Sequence, residues 1–250
     1  MVSAASAVGI GRFAFAEHVF HLTDAIATSP YLQTCSERWS EGAPISIERY
    51  LAESWSAARR HPEVEVAVGV EFDYVPGDEA LRAHTRALGE AHPWDVLLGS
   101  VHALRDDQSI FEGESPLTAE EAWSDYHDRL MRLAQSGLVD VVTHPVRLAV
   151  SGIPAPLDHG DRLDELAETA ARRGVALEVN GSDLRRAPEL VTELIGAAAR
   201  RGAPISLGSD AHRPRTVGSV LPALELLRAA GITETLAFTR RIAKAEDPFA

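Results

Sequence analysis

The sequence has a single cysteine, Cys35, so no internal disulfide can form, and the chain is expected in a reducing cytoplasm rather than in a secreted setting. No apolar run approaches the roughly 18 residues of a membrane span, and Met1 to Arg12 lacks a basic segment followed by an apolar leader core. A soluble protein with no membrane partner is the expectation. Positive charge is scarce: 24 Lys and Arg stand against 37 Asp and Glu, a net charge of −13. That excess argues against nucleic acid as a partner, because a phosphate backbone is held by clustered lysines and arginines. Any anionic small molecule must then be held by local arginines or by metal. Internal repeats and low-complexity segments are also lacking.

What remains is 250 residues, about the size of one α/β barrel, and a single domain over residues 1–250 is expected. Short apolar runs of the kind buried on both faces of a parallel sheet occur at Gly11 to Ala16, Glu65 to Phe72, Asp95 to Ser100, Val139 to Thr143, Val175 to Val179 and Ile205 to Gly208. Between them, Ile47 to Arg60, Leu117 to Ser136, Asp158 to Arg173, Ala187 to Arg201 and Val217 to Ala230 repeat apolar residues at helical spacing. Gly137, Gly174 and Gly202 stand where helix ends favour glycine. Phe20 to Ile45 and Arg105 to Pro116 break the rhythm and read as loops or short helices. The strand and helix alternation predicts a parallel α/β sheet.

Six segments carry a metal-ligand type at or just after a strand end. They are Ala16-Glu17-His18, Val70-Glu71-Phe72-Asp73, Ser100-Val101-His102, Val142-Thr143-His144-Pro145, Leu177-Glu178-Val179-Asn180 and Gly208-Ser209-Asp210-Ala211-His212. In a β/α barrel the C-terminal rim of the strands is where catalytic groups gather, so this pattern points to a metallohydrolase. His18, Glu71, His102, His144, Asp210 and His212 are the candidate metal ligands, with Asp210, Glu71 and His18 also the candidate catalytic groups. Imidazole and carboxylate suit Mn, Fe or Zn without choosing among them. Glu178, Asn180, Asp73 and Glu17 read as residues that orient the ligands or close turns. Arg147 after His144-Pro145, Arg213 after His212, and Arg185 or Arg186 after Asn180 offer guanidinium forks to an anionic substrate, with Arg147 and Arg213 ahead of Arg185. His21, His61, His84, His92, His127 and His159 lack the strand-end context and read as surface residues. The four tryptophans Trp39, Trp55, Trp94 and Trp123 read as core or loop anchors.

Phe15-Ala16-Glu17-His18, Gly69 to Gly77, Leu98 to His102 and Gly208 to His212 together resemble the PHP (polymerase and histidinol phosphatase) superfamily of metal-dependent phosphoesterases, and within it the monofunctional histidinol-phosphatases. The resemblance implies a distorted β/α barrel, seven-stranded in the family. It also implies hydrolysis of a small-molecule phosphomonoester, L-histidinol phosphate, in histidine biosynthesis. The family opens with a strand bearing a His-x-His pair and a further loop histidine. The present sequence has neither ahead of Phe13, so the first strand is expected to be missing, through a start set too far downstream or a real truncation.

In the family up to three divalent ions are bridged by the carboxylates that align with Glu71 and Asp210. The resemblance then gives one ion Glu71, His102 and His144, a second Glu71 and Asp210, and a third His18 and His212, with fewer ions held firmly here than in the family. Two alternatives stand beside this reading: a PHP phosphoesterase acting on another substrate such as a nucleotide, and a metal-binding remnant without catalysis. Oligomeric state is not legible.

Overall fold

The computed structural model describes residues 1–39, 42–75, 77, 79–92, 94–105, 109–111 and 116–235. Among the described residues six strands appear, in the order anticipated: β1 Arg12–His18, β2 Glu65–Asp73, β3 Val96–Ser100, β4 Val141–Val142, β5 Ala176–Asn180 and β6 Ile205–Gly208. The helices are α1 Val2–Ala7, α2 Thr23–Ile26, α3 Pro30–Trp39, α4 Ile47–Arg59, α5 Glu79–Ala91, α6 Ala119–Gln135, α7 Arg147–Val150, α8 His159–Arg173, α9 Gly181–Arg186, α10 Pro188–Arg201 and α11 Ala223–Ala229. Strand order in the sheet follows chain order, and β1 pairs with β2, β4 with β5 and β5 with β6 in parallel. A helix-bearing crossover between parallel neighbours is what the alternating sequence requires. Among the described residues no helix is long and apolar enough to cross a membrane.

The described chain forms two compact units, residues 1–98 and 99–235, divided inside β3. In the first, α4 starts at Ser46, whose hydroxyl accepts the Arg49 N–H, and it lays Tyr50, Leu51 and Trp55 onto the core. That core gathers Val68, Val70 and Phe72 of β2 with Phe20, Leu32, Cys35 and Trp94. Gly69 sits in β2 because a Cβ there would lie 2.4 Å from the Val96 carbonyl oxygen, so only glycine lets the two strands approach. The segment Phe20 to Ile45, expected to be irregular, holds a 3₁₀ turn and the short helices α2 and α3. Part of Arg105 to Pro116 lies outside the described residues.

In the second unit, α6 opens with a capping box in which Thr118 and Glu121 satisfy each other's backbone N–H groups. Helices α8 and α10 both close on glycines, Gly174 and Gly202, each at φ +68°. Left-handed backbone of that kind is nearly free for glycine and costly for residues with a Cβ. Helices α6, α8 and α10 bury Trp123, Leu130, Leu163, Leu166, Leu194 and Ile195. Trp55, Trp94 and Trp123 are buried and Trp39 packs against the core, as anchors should.

Candidate functional site

The first unit presents a group built by strand register. Parallel pairing sets His18 of β1 opposite Glu71 of β2. Partners in register share a face, and His18 Nδ1 lies 3.8 Å from Glu71 Oε2. Beyond His18 the chain enters a 3₁₀ turn, Val19–His21, and the His18 ring stacks on Phe20 at 4.6 Å between centroids. Glu17 turns back onto this turn: its carboxylate accepts the His18 backbone N–H at 3.0 Å and lies 2.6 Å from His21 Nδ1. Burial works against ionisation of Glu17, but the hydrogen bonds from His21 and His18 and their charges outweigh it and hold the carboxyl below its ordinary value. The Tyr50 hydroxyl receives the Glu17 N–H at 3.3 Å and donates to the Gly69 carbonyl at 2.9 Å, which fixes the end of β1. Asp73, at the end of β2, is buried.

The second unit presents a larger group. His102, just beyond β3, and His144, just beyond β4, face one another with their Nε2 atoms 3.2 Å apart and ring centroids 5.1 Å apart. Ser100 Oγ lies 3.3 Å from His102 Nδ1, and the Phe111 ring lies 5.3 Å from the His102 ring. His144 is held on three sides. It donates its backbone N–H to Glu178 Oε2 at 2.9 Å. Its carbonyl accepts the Tyr126 hydroxyl at 3.0 Å. Its backbone is left-handed, φ +35°. Burial, the largest influence, pushes the Tyr126 hydroxyl up, so it stays a donor.

Asp210 is the other non-glycine residue with positive φ among the described residues, at +50°. Such conformations cost of order 1–3 kcal/mol each and persist where the surroundings over-determine them. Both fall on candidate ligands. Asp210 Oδ2 accepts from Arg147 Nη2 at 2.8 Å, and Oδ1 lies 3.3 Å from His212 Nε2. Burial opposes ionisation of Asp210, yet the His212 contact and the Arg147 charge prevail, and its carboxyl stays far below the ordinary carboxylate range. It is a permanent anion at neutral pH.

Arg147, expected at a phosphate, is instead buried between two carboxylates, with Nε also 2.7 Å from Asp183 Oδ1. Burial works against its charge, but Asp183 and Asp210 overcome it and raise the guanidinium above its usual value. Burial pushes the Asp183 carboxyl up to about 7, with Asp210 adding and Arg147 opposing. Asp183 was invisible in the sequence. It sits in the first turn of α9, which Asn180 starts by accepting the Ser182 and Asp183 N–H groups at 2.8 and 3.4 Å. Glu178 and Asn180 act as the supporting residues they resembled, since Asn180 Nδ2 donates to the same Glu178 oxygen that holds His144, at 3.2 Å. Gly208 makes room for that carboxylate: a Cβ there would lie 1.6 Å from Glu178 Oε1. Arg185 and Arg213 are exposed, as is His212.

The donor chemistry fits a divalent ion. On a tetrahedral zinc, with Zn–N about 2.0–2.1 Å, two imidazole nitrogens stand about 3.3 Å apart and their ring centroids about 5 Å apart. The His102 and His144 pair, at 3.2 and 5.1 Å, meets that spacing, as does a hydrogen-bonded ring pair on α6 and α8; the first pair differs in standing at two strand ends, with the charge of His144 acting on Asp210. Two of the histidines read as surface residues prove buried instead. His127 of α6 and His159 of α8 are each 2% exposed and face one another, Nε2 to Nδ1, at 3.0 Å under Trp123. A hydrogen bond between two neutral imidazoles removes the penalty that made burial of either look improbable.

Comparison with known proteins adds an independent line. The PHP domain family model matches residues 1–182. A "probable histidinol-phosphatase" of Deinococcus radiodurans is 30% identical over 188 residues, which cover 69% of this chain and 67% of that protein. A "probable phosphatase" of Shewanella sp. (strain ANA-3) is 31% identical over 140 residues, 54% of this chain and 47% of its own, so the match spans about half of that relative's length. In fold, the chain is similar to the crystal structure of histidinol phosphate phosphatase from Lactococcus lactis complexed with zinc, L-histidinol and phosphate. That likeness has a TM-score of 0.76 at 20% identity and covers 95% of this chain and 89% of the other.

Proposed function

Since the chain belongs to the PHP domain family, we propose that it is a metal-dependent phosphomonoester hydrolase whose substrate is L-histidinol phosphate, released as L-histidinol and phosphate. The observation that carries the reading is the His102 and His144 nitrogen pair, spaced for one ion, in a unit that also holds Asp210 as a permanent anion. The Deinococcus relative's name and the L-histidinol and phosphate bound in the Lactococcus protein favour this substrate over a nucleotide. The distorted seven-stranded barrel of the family is the proposed frame, with residues 1–250 working as one phosphoesterase domain.

The proposed metal ligands are His18, Glu71, His102, His144, Asp210 and His212, with Asp210, Glu71 and His18 closest to the chemistry. When bound, divalent ions of the Mn, Fe or Zn type would neutralise phosphate oxygens and bring a water's deprotonation near neutral pH. The chain's own residues supply the rest. Glu178 and Tyr126 hold the His144 backbone so that its ring faces His102. Arg147 fixes one Asp210 oxygen and leaves it ionised. The exposed Arg213 and Arg185 are the proposed phosphate contacts, since a guanidinium fork matches phosphate oxygens. Arg147, proposed with them, reaches phosphate only by giving up a carboxylate.

A panel of L-histidinol phosphate, nucleoside monophosphates and a generic aryl phosphate, each with Zn, Mn or Fe(II), tests the proposal. Preference for L-histidinol phosphate by at least tenfold in kcat/KM supports it. A nucleotide preference would move the substrate assignment, and binding of metal without turnover of any ester would favour the non-catalytic reading.

A further inference from the structure

Beyond β1 the chain makes one 3₁₀ turn, Val19–His21, with His18 at its N-cap. His18 is extended, the last residue of β1, and His21 closes the turn three residues on. Their ring centroids lie 5.7 Å apart with planes at 86°. On a tetrahedral ion two imidazole rings lie about 5 Å apart, a separation near this one.

The tautomer of His21 follows from its neighbour. Glu17 Oε1 sits 2.6 Å from His21 Nδ1, and Glu17 also accepts the His18 backbone N–H. A carboxylate has no proton to donate, so the hydrogen resides on Nδ1 and the lone pair on Nε2. His21 Nε2 is buried and has no hydrogen-bond partner among the described residues. A carboxylate on one imidazole nitrogen, with the other nitrogen left without a hydrogen bond, is the arrangement by which proteins orient histidine ligands. His18 Nδ1, 3.8 Å from Glu71 Oε2, supplies the rest of the donor set on the same unit.

We propose that His21 is a metal ligand, joining His18 and Glu71 around a divalent transition-metal ion, with Glu17 as its positioning carboxylate. The proposal rests on the metal-dependent reading above and adds a ligand to it. The contrary view is that the Glu17 and His21 pair only ties the 3₁₀ turn to β1.

The full chain, stripped of metal by chelation, is titrated with Co(II) and Zn(II), and bound metal is counted by mass spectrometry. His21→Ala is expected to weaken one ion 10- to 100-fold or to lose it, and Glu17→Gln to weaken it about tenfold. His21→Cys with Co(II) is expected to develop a thiolate-to-cobalt charge-transfer band that the parent chain lacks, a signature a structural role would not produce. Unchanged stoichiometry and affinity in His21→Ala, with no band in His21→Cys, overturn the proposal. If His21→Ala does not fold, the band in His21→Cys decides alone. His18→Ala separates the two levels: loss of an ion there but not in His21→Ala sinks this inference only, whereas a parent chain that binds no metal sinks the metal-dependent reading with it.

Discussion

The buried His127 and His159 pair makes the second unit acid-sensitive over a defined window. Both rings are 2% exposed, and each leaves one further nitrogen buried without a partner among the described residues. Burial pushes His127 down to about 3, with the charges of His159 and Arg162 adding; burial likewise lowers His159 to about 4, with Asp158 opposing. A histidine whose folded value is depressed contributes stability that is full above its unfolded value and is lost as pH falls toward the folded one. From an ordinary value of 6.5, that window runs down to between 3 and 4. At pH 5 each imidazole is protonated when unfolded and neutral when folded. The deficit is about 1.4 kcal/mol per pH unit over one and a half units, or ~2 kcal/mol per ring and ~4 kcal/mol for the pair. Against a total stability of about 5–15 kcal/mol this is a large share. The assay is urea unfolding at pH 7 and pH 5 for the parent chain and for a His127→Gln, His159→Gln double variant, which carries no titrating ring at either position. The parent is expected to lose ~4 kcal/mol more than the variant between the two pH values. Comparing the two losses cancels other titrations, including that of Asp183, whose raised value acts in the opposite sense. Equal losses in both proteins would refute the argument.

Other perturbations follow from the same geometry. Arg147→Ala strands two carboxylates in the interior and is expected to cost about 3–5 kcal/mol in urea unfolding, far more than loss of a surface arginine; a cost under 1 kcal/mol would mean that the pair is not held as described. Gly208→Ala forces Glu178 off the His144 N–H and is expected to cost about 1–3 kcal/mol by overpacking. Adding Glu178→Ala should make the Gly208 change nearly neutral, and additivity of the two would contradict the contact. Tyr126→Phe removes the hydroxyl that holds the His144 carbonyl and should cost about 1 kcal/mol. A larger loss of metal affinity than of stability in that variant would tie the hydroxyl to the site.

The strands were legible as short apolar runs, buried on both faces in β2, β4 and β5 and less so in β1, and Ile205–Gly208 forms as expected. β1 runs two residues beyond the expected Ala16, because the ladder to Val70 and Glu71 carries Glu17 and His18 into the strand despite their polarity. β4 shrinks to Val141–Val142. α5 escaped notice because Gly89 interrupts its helical pattern, at a position where a Cβ would crowd the Leu97 side chain at 3.1 Å. α9 is too short to show a period and depends on the Asn180 cap. The expected helix from Val217 yields only Ala223–Ala229, with Pro222 at its N-cap. Ligand types at strand ends could be read one by one, since the strand brings its own terminus to the rim. What could not be read is who faces whom. The grip of Asp183 on Arg147 depends on α9, and the tie between Glu17 and His21 depends on a 3₁₀ turn; neither leaves a periodic trace.

The most direct test of the central claim is phosphate release from L-histidinol phosphate by the chelated chain before and after addition of Zn, Mn or Fe(II), beside Asp210→Asn treated identically. The account predicts turnover only with metal and only in the parent chain, because the amide keeps the size of the side chain and removes its permanent charge. Metal-independent hydrolysis, or undiminished hydrolysis by Asp210→Asn, would contradict it.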